Sequence, residues 1–177
     1  MTNQPLPQLT TPQAGFAISQ AYLTQQVYNP LTFLLNPPSA FLYASATQTI
    51  NSGTNTLVNL SGASFDPYGG FNSSTHAWVV PVSGWYDVEG VVHFNSATAG
   101  NRAAWVTTDL VGLGAITYTE RWAQTGGGNV SAICGGILSL TQNQSIGLVG
   151  YQSSGAGLGT VSTSNGAATL KLRFLHA

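Results

Sequence analysis

From Phe41 to the C-terminus, short runs rich in Val, Ile, Thr, Tyr, Phe and Trp are separated by clusters of Gly, Asn, Ser and Pro. β-Branched and aromatic side chains suit a pleated, half-buried surface, and the separating residues are those that turns require. The texture predicts strands over 41–45, 56–59, 77–80, 84–95, 102–110, 116–124, 130–140, 145–152 and 168–176. In Leu170-Lys171-Leu172-Arg173-Phe174 the alternation is clean, with the apolar residues facing a core and both cations facing out. In 84–95 it is approximate, with Trp85, Asp87 and Glu89 set against Tyr86, Val88 and Val91. Eight or nine short strands joined by turns predict an all-β sandwich or jelly roll. Gly126-Gly127-Gly128 and residues 153–159 read as flexible loops.

Residues 1–39 differ in kind and form a separate arm, ahead of a jelly-roll domain over 40–177. Pro5, Pro7 and Pro12 open the arm, because proline blocks both helix and central strand. Residues 14–28 suit one short helix, with Phe16, Leu23 and Val27 near helical spacing. Asn29-Pro30 is expected to break it. Leu31-Thr32-Phe33-Leu34-Leu35 follows, closed by Asn36-Pro37-Pro38. So apolar a run on a short arm needs something to bury it. Either it folds back on its own domain or Leu31, Phe33, Leu34 and Leu35 dock on a neighbouring subunit or assembly.

Charge narrows the partners. The 177 residues include only 4 Lys or Arg and 5 Asp or Glu, where an average chain is about a quarter charged. Scattered cations in that number supply neither a nucleic-acid surface nor a polybasic membrane patch. No apolar run approaches the ~20 residues of a membrane span. Met1 to Pro5 lacks the basic start and apolar stretch of an export signal. A single cysteine, Cys134, excludes an internal disulfide framework and reads as a small core filler. Solubility is left to neutral polar groups, which suits a chain held in a large assembly.

The most informative stretch runs from Leu60 to Val88. Leu60, Asp66, Phe71, Trp78, Gly84, Tyr86 and Val88 follow one another at steps of six, five, seven, six, two and two. Asp66 is placed to bond backbone amides ahead of Gly69-Gly70, Pro81 and Gly84 bend the chain, and Phe71, Trp78 and Tyr86 suit a sandwich centre. The pattern resembles the signature of the complement C1q and tumour-necrosis-factor jelly-roll superfamily. In that signature an aromatic, an Asn or Asp, an aromatic and a Phe precede Gly-any-Tyr-any-Phe. Here Leu60, Trp78 and Val88 stand where the family has Phe, and all three stay apolar. The resemblance implies a homotrimer. It identifies a fold, and function must be argued from elsewhere.

The arm carries a second resemblance. Ala21-Tyr22-Leu23, Val27 and the run from Asn29 to Pro38 are similar to the leader of small virion proteins of tailed bacteriophages, where an Asn-Pro-Leu-any-Phe-Leu-Leu run precedes a jelly-roll head. That likeness implies a virion location, with the arm contacting capsid or tail proteins.

Catalytic constellations are not recognisable. There is no Gly-any-Ser-any-Gly elbow, no His-Glu-any-any-His and no Walker loop. His76, His93 and His176 give no reason to converge on a metal, save where one His from each subunit meets on a threefold axis. Asp87 and Glu89 share a strand face and read as a solvated or interface pair. No enzyme activity and no cofactor are expected. Arg121 beside Trp122, and Arg102 near Trp105, are candidates for cation–aromatic stacking. Trp105, Tyr118, Arg121, Trp122 and Tyr151 form the candidate ligand surface, with a host-surface glycan as the candidate ligand, while Trp85 is a further exposed-aromatic candidate. The sequence therefore predicts a trimeric, non-enzymatic virion protein that decorates a phage shell or tail. The other reading is a free trimeric recognition domain for a protein or glycan.

Overall fold

The computed structural model describes residues 7–10, 15, 18–117, 119–123, 128–162 and 166–177. Ser19 opens the helical arm, its hydroxyl accepting the Tyr22 amide at 3.1 Å. The helix runs through α1 (Gln20–Leu23), a π-helical turn (Thr24–Tyr28) and α2 (Asn29–Leu35). Asn29-Pro30 therefore does not break the helix. In the π turn the Asn29 amide reaches back to the Thr24 carbonyl, one residue further than in an α-helix. That extra residue widens the turn just where the Pro30 ring would strike the preceding turn and where Pro30 has no N–H to donate. The expected start at 14 and the Phe16 position lie outside the described residues.

Among the described residues the strands that follow are β1 (Ser39–Tyr43), β2 (Thr49–Ile50), β3 (Thr56–Leu57), β4 (Gly62–Phe65), β5 (Phe71–Asn72), β6 (Ala77–Val79), β7 (Gly84–Phe94), β8 (Arg102–Thr107), β9 (Arg121–Ala123), β10 (Val130–Leu140), β11 (Ser145–Gln152), β12 (Leu158–Gly159) and β13 (Thr169–His176). All pairings are antiparallel. One sheet has the order β10-β7-β13-β1-β4 and the other β5-β6-β11-β8-β9, with β3 also pairing β11. This is an all-β jelly roll preceded by a short arm with one helical segment.

β7 shows why the two sheets stack. Tyr86, Val88, Val92 and Phe94 are buried, and Trp85, Asp87 and Glu89 lie outside. The alternation is strict, contrary to the approximate pattern expected. Gly90 takes the inward position and Val91 points outward, since an odd step from Val88 reverses the face. Gly90 is needed there, because a Cβ would approach Leu148 Cδ1 at 2.5 Å and Cys134 Sγ at 2.9 Å. Leu170, Leu172 and Phe174 of β13 are buried, while Lys171 and Arg173 are exposed.

Several strand limits differ from expectation. β9 covers only three residues, and residues 108–117 form a loop tied to β8. Asp109 Oδ1 accepts the Val111 and Gly112 amides, and buried Thr119 bonds the Val106 main chain. These local side-chain bonds satisfy the backbone without a ladder. The segment 153–159 is not a free loop. Gln152, fully buried, donates to the Ile50 and Ala156 carbonyls and accepts the Ser154 amide, while Leu158 and Gly159 pair with β2. Of the glycine run expected as a loop, only Gly128 lies among the described residues.

Candidate functional site

The Leu60–Val88 signature residues take structural positions. Leu60, Trp78, Tyr86 and Val88 are buried, and Phe71 is half-buried against the same core. The Trp78 and Tyr86 rings meet edge to face at 5.9 Å. Asp66 holds the turn together: Oδ2 accepts the Phe71 amide at 2.8 Å and Oδ1 accepts the Trp78 indole N–H at 3.1 Å. Gly84 lets β7 pass the end of β13, since a Cβ there would meet the Phe174 ring at 2.5 Å and the His176 carbonyl at 2.6 Å. The three histidines stay apart. His76 bonds the Leu60 carbonyl, His93 bonds Ser131 at 2.6 Å, and His176 lies beside Trp85. Among the described residues no group of three His, Cys, Asp or Glu side chains is placed to hold a metal.

The candidate ligand surface divides. β8, β9 and β11 align Tyr151, Ala103 and Trp122 in one cross-strand row, with Val149 beside Trp105 in a neighbouring row. Ala103 is small, so the Tyr151 and Trp122 rings meet above it, 5.5 Å apart and inclined at 69°. Trp105 is largely buried beside Leu57, Leu113 and Tyr151, its indole N–H donating to the Leu113 carbonyl at 2.9 Å. Leu113 takes a left-handed φ of 55° to present that carbonyl. These three aromatics line one open depression of about 220 Å³, together with Asn55, Glu120 and residues 113–115.

Neither proposed arginine stack forms in the way expected. Arg121 and Trp122 are consecutive in a strand and point to opposite faces. Arg121 instead bonds the Glu120 carbonyl, and its charge acts on the Cys134 thiol. Arg102 and Trp105 are an odd step apart and also diverge. Arg102 is fully buried and donates to the carbonyls of Ala97, Ala99 and Asn101. Its Nε has no partner, and burial lowers its pKa. Tyr118 lies outside the described residues. Sequence reasoning missed Glu120 and Asn55 as neighbours of the aromatic group, because both arrive from loops.

Among the described residues two groups of apolar side chains stand out as uncovered. The outer face of the β10-β7-β13-β1-β4 sheet presents Ile133, Ile137, Trp85, Phe41, Tyr43 and Phe65. Its centre carries a Lys171–Glu89 ion pair at 2.7 Å, with Lys171 also over the Phe41 ring. Asp87 and Glu89 thus face Arg173 and Lys171 across the strand pair. The second surface is on the arm. Phe33 is buried edge to face against Phe174 at 5.3 Å, so this part of the run folds back on its own domain. Leu31, Leu34 and Leu35 stay exposed, Leu35 to 85%.

No family model and no curated protein matches the sequence. Solved structures do match the fold. The globular domain of zebrafish complement 1qA superposes with a TM-score of 0.54 at 11% identity, over 78% of this chain and 98% of that one. A tumour necrosis factor, Eiger from S. frugiperda, gives 0.58 at 10% identity, over 79% and 95%. Murine APRIL at pH 5.0 gives 0.56 at 14% identity, over 77% and 98%. The chain shares the jelly-roll fold of these complement C1q and tumour-necrosis-factor structures, the fold that the Leu60–Val88 spacing led us to expect.

Proposed function

We propose that this chain is a non-enzymatic structural protein of a bacteriophage virion, built as a homotrimer. Residues 1–39 anchor it to a capsid or tail protein, and the jelly rolls of residues 40–177 project outward. The observation that carries this reading is the pair of uncovered apolar surfaces on a chain with so few charges. The outer sheet face is centred on paired charges and rimmed by Ile133, Ile137, Trp85 and Phe65, an arrangement that suits burial against another copy. The exposed Leu31, Leu34 and Leu35 are then left for a different neighbour. The Trp105–Trp122–Tyr151 depression is the ligand surface, turned toward the host-cell surface. Three such sites on one rigid body raise effective concentration, so each is allowed to be weak.

A second reading is a free trimeric recognition domain. It is favoured by the contacts that tie the arm to its own domain, Phe33 on Phe174 and the Tyr68 hydroxyl on the Asn36 carbonyl. Two measurements separate the readings. Sedimentation equilibrium at micromolar concentration is expected to give three times the chain mass, and a folded monomer overturns the trimer. Imaging of purified particles is expected to show the arm seated in a neighbouring protein. If removing residues 1–39 leaves incorporation unchanged, the anchoring role is wrong.

A further inference from the structure

The depression on the β8-β9-β11 surface has a lining that selects one chemistry. Its walls are Trp105, Trp122 and Tyr151, and its acidic group is Glu120. Among the described residues no basic side chain lines it. Arg121, next in sequence, places its guanidinium on the Glu120 carbonyl. The volume of about 220 Å³ is below the ~300–1,000 Å³ of sites for drug-sized ligands, so a small head group is what fits.

A neutral sugar is poorly served here. A hexose needs paired hydrogen bonds for several hydroxyls, and a flat ring face to stack on. The Trp105 N–H is already spent on Leu113, and the polar side chains at the rim come down to Asn55, Glu120 and the Tyr151 hydroxyl. Trp122 and Tyr151 meet at a steep angle, forming a corner in place of a platform. A corner of aromatic faces with a carboxylate and no competing cation suits a round, weakly hydrated, positively charged group. Such a cation is attracted to each ring face by the quadrupole, and more strongly where water is displaced.

We propose that this depression binds an N-methylated ammonium group, of the choline type, carried on a cell-surface polymer or lipid. The inference rests on the reading of this surface as the ligand surface, and it does not depend on the trimer or on the virion location. It specifies that the group recognised is the cationic substituent and not the sugar ring.

The test uses the full chain and follows tryptophan fluorescence during titration with choline chloride. Saturable change with a Kd on the order of 1 mM is expected. Neohexyl alcohol, the uncharged carbon isostere of choline, and glucose are expected to give none. Trp122→Ala, at a position 57% exposed and so dispensable for folding, should weaken choline binding by about tenfold or more. Trp122→Phe should restore part of it, and Glu120→Gln should weaken choline binding while leaving the fold intact. Equal binding of neohexyl alcohol, or binding of glucose in place of choline, overturns the proposal. A soluble polymer bearing choline esters and phosphatidylcholine vesicles are compared next. Polymer binding without vesicle binding is expected, and the reverse moves the source to a lipid. If neither binds, the proposal falls even where free choline saturates. Sedimentation of the same samples reads assembly separately, so a trimer that ignores choline overturns this inference alone.

Discussion

Asp66 illustrates how much one side chain decides. Both of its oxygens are engaged, one by the Phe71 amide and one by the indole of Trp78, which is fully buried. Asp66→Ala would strand a buried indole N–H and a turn amide together. A loss of about 1–3 kcal/mol is expected, since an unmade buried hydrogen bond costs its full desolvation. Urea unfolding checks it, as a lowered midpoint with an unchanged slope. Asp66→Asn keeps an acceptor for one of the two donors and should lose less. Cys134 makes a pH prediction. Burial is the main cause that pushes its thiol up from 9.0 to about 12. Between those values the unfolded chain gives up the proton and the folded one keeps it, so stability is full below pH 9 and falls as pH rises toward 12. Equilibrium unfolding across that range should show the decline, and Cys134→Ala should flatten it. At pH 8 a thiol reagent should label the denatured chain quickly and the native chain hardly at all.

Among the elements, the helical arm is the one whose contacts divide most sharply. Among its described residues Phe33 is the one buried hydrophobic side chain, while the leucines on either side of it face away from the domain. Phe33→Ala removes the ring that meets Phe174, and the arm should detach while both sheets remain paired. Limited proteolysis is expected to cut the variant within residues 20–35 at least tenfold faster than the parent. An unchanged cutting rate would mean that other contacts, such as Tyr68 on Asn36, hold the arm. The strands were legible in the sequence where they were long. β7, β10, β11 and β13 coincide with the expected segments to within a residue, because each spans enough period-2 repeats to be distinctive. β2, β4, β5 and β12 escaped, having only two to four residues each. Such strands are selected by a partner already in place, and their own composition says little. The helix passing through Pro30 escaped for a related reason, as a π turn has no composition signature of its own.

For the whole molecule, assembly is the open consequence of the outer sheet face. Ile133 and Ile137 alternate along β10 at 57% and 63% exposure, so a charge at either leaves the interior untouched. If that face is buried between copies, Ile137→Lys desolvates a charge without a partner and should reduce the assembled mass, with thermal unfolding of the separated subunit still cooperative. Sedimentation velocity of parent and variant side by side reads the outcome, and identical assembled masses would exclude this face as the contact.

The sequence by itself determined the class of fold. Alternation, turn residues and the Leu60–Val88 spacing are local properties of the chain, and they specify which side of each strand is apolar before any partner exists. It also determined that Asp66 would tie a turn and that Cys134 would be interior. Only the tertiary structure decided which side chains share a site. Trp105, Trp122 and Tyr151 come from three strands, and Glu120 arrives on a loop pinned by Asp109 and Thr119. The arginines expected to stack on tryptophans went to the opposite side of their strands. Neighbourhood in a β-protein is set by register between strands distant in the chain, and register is not written in any one of them.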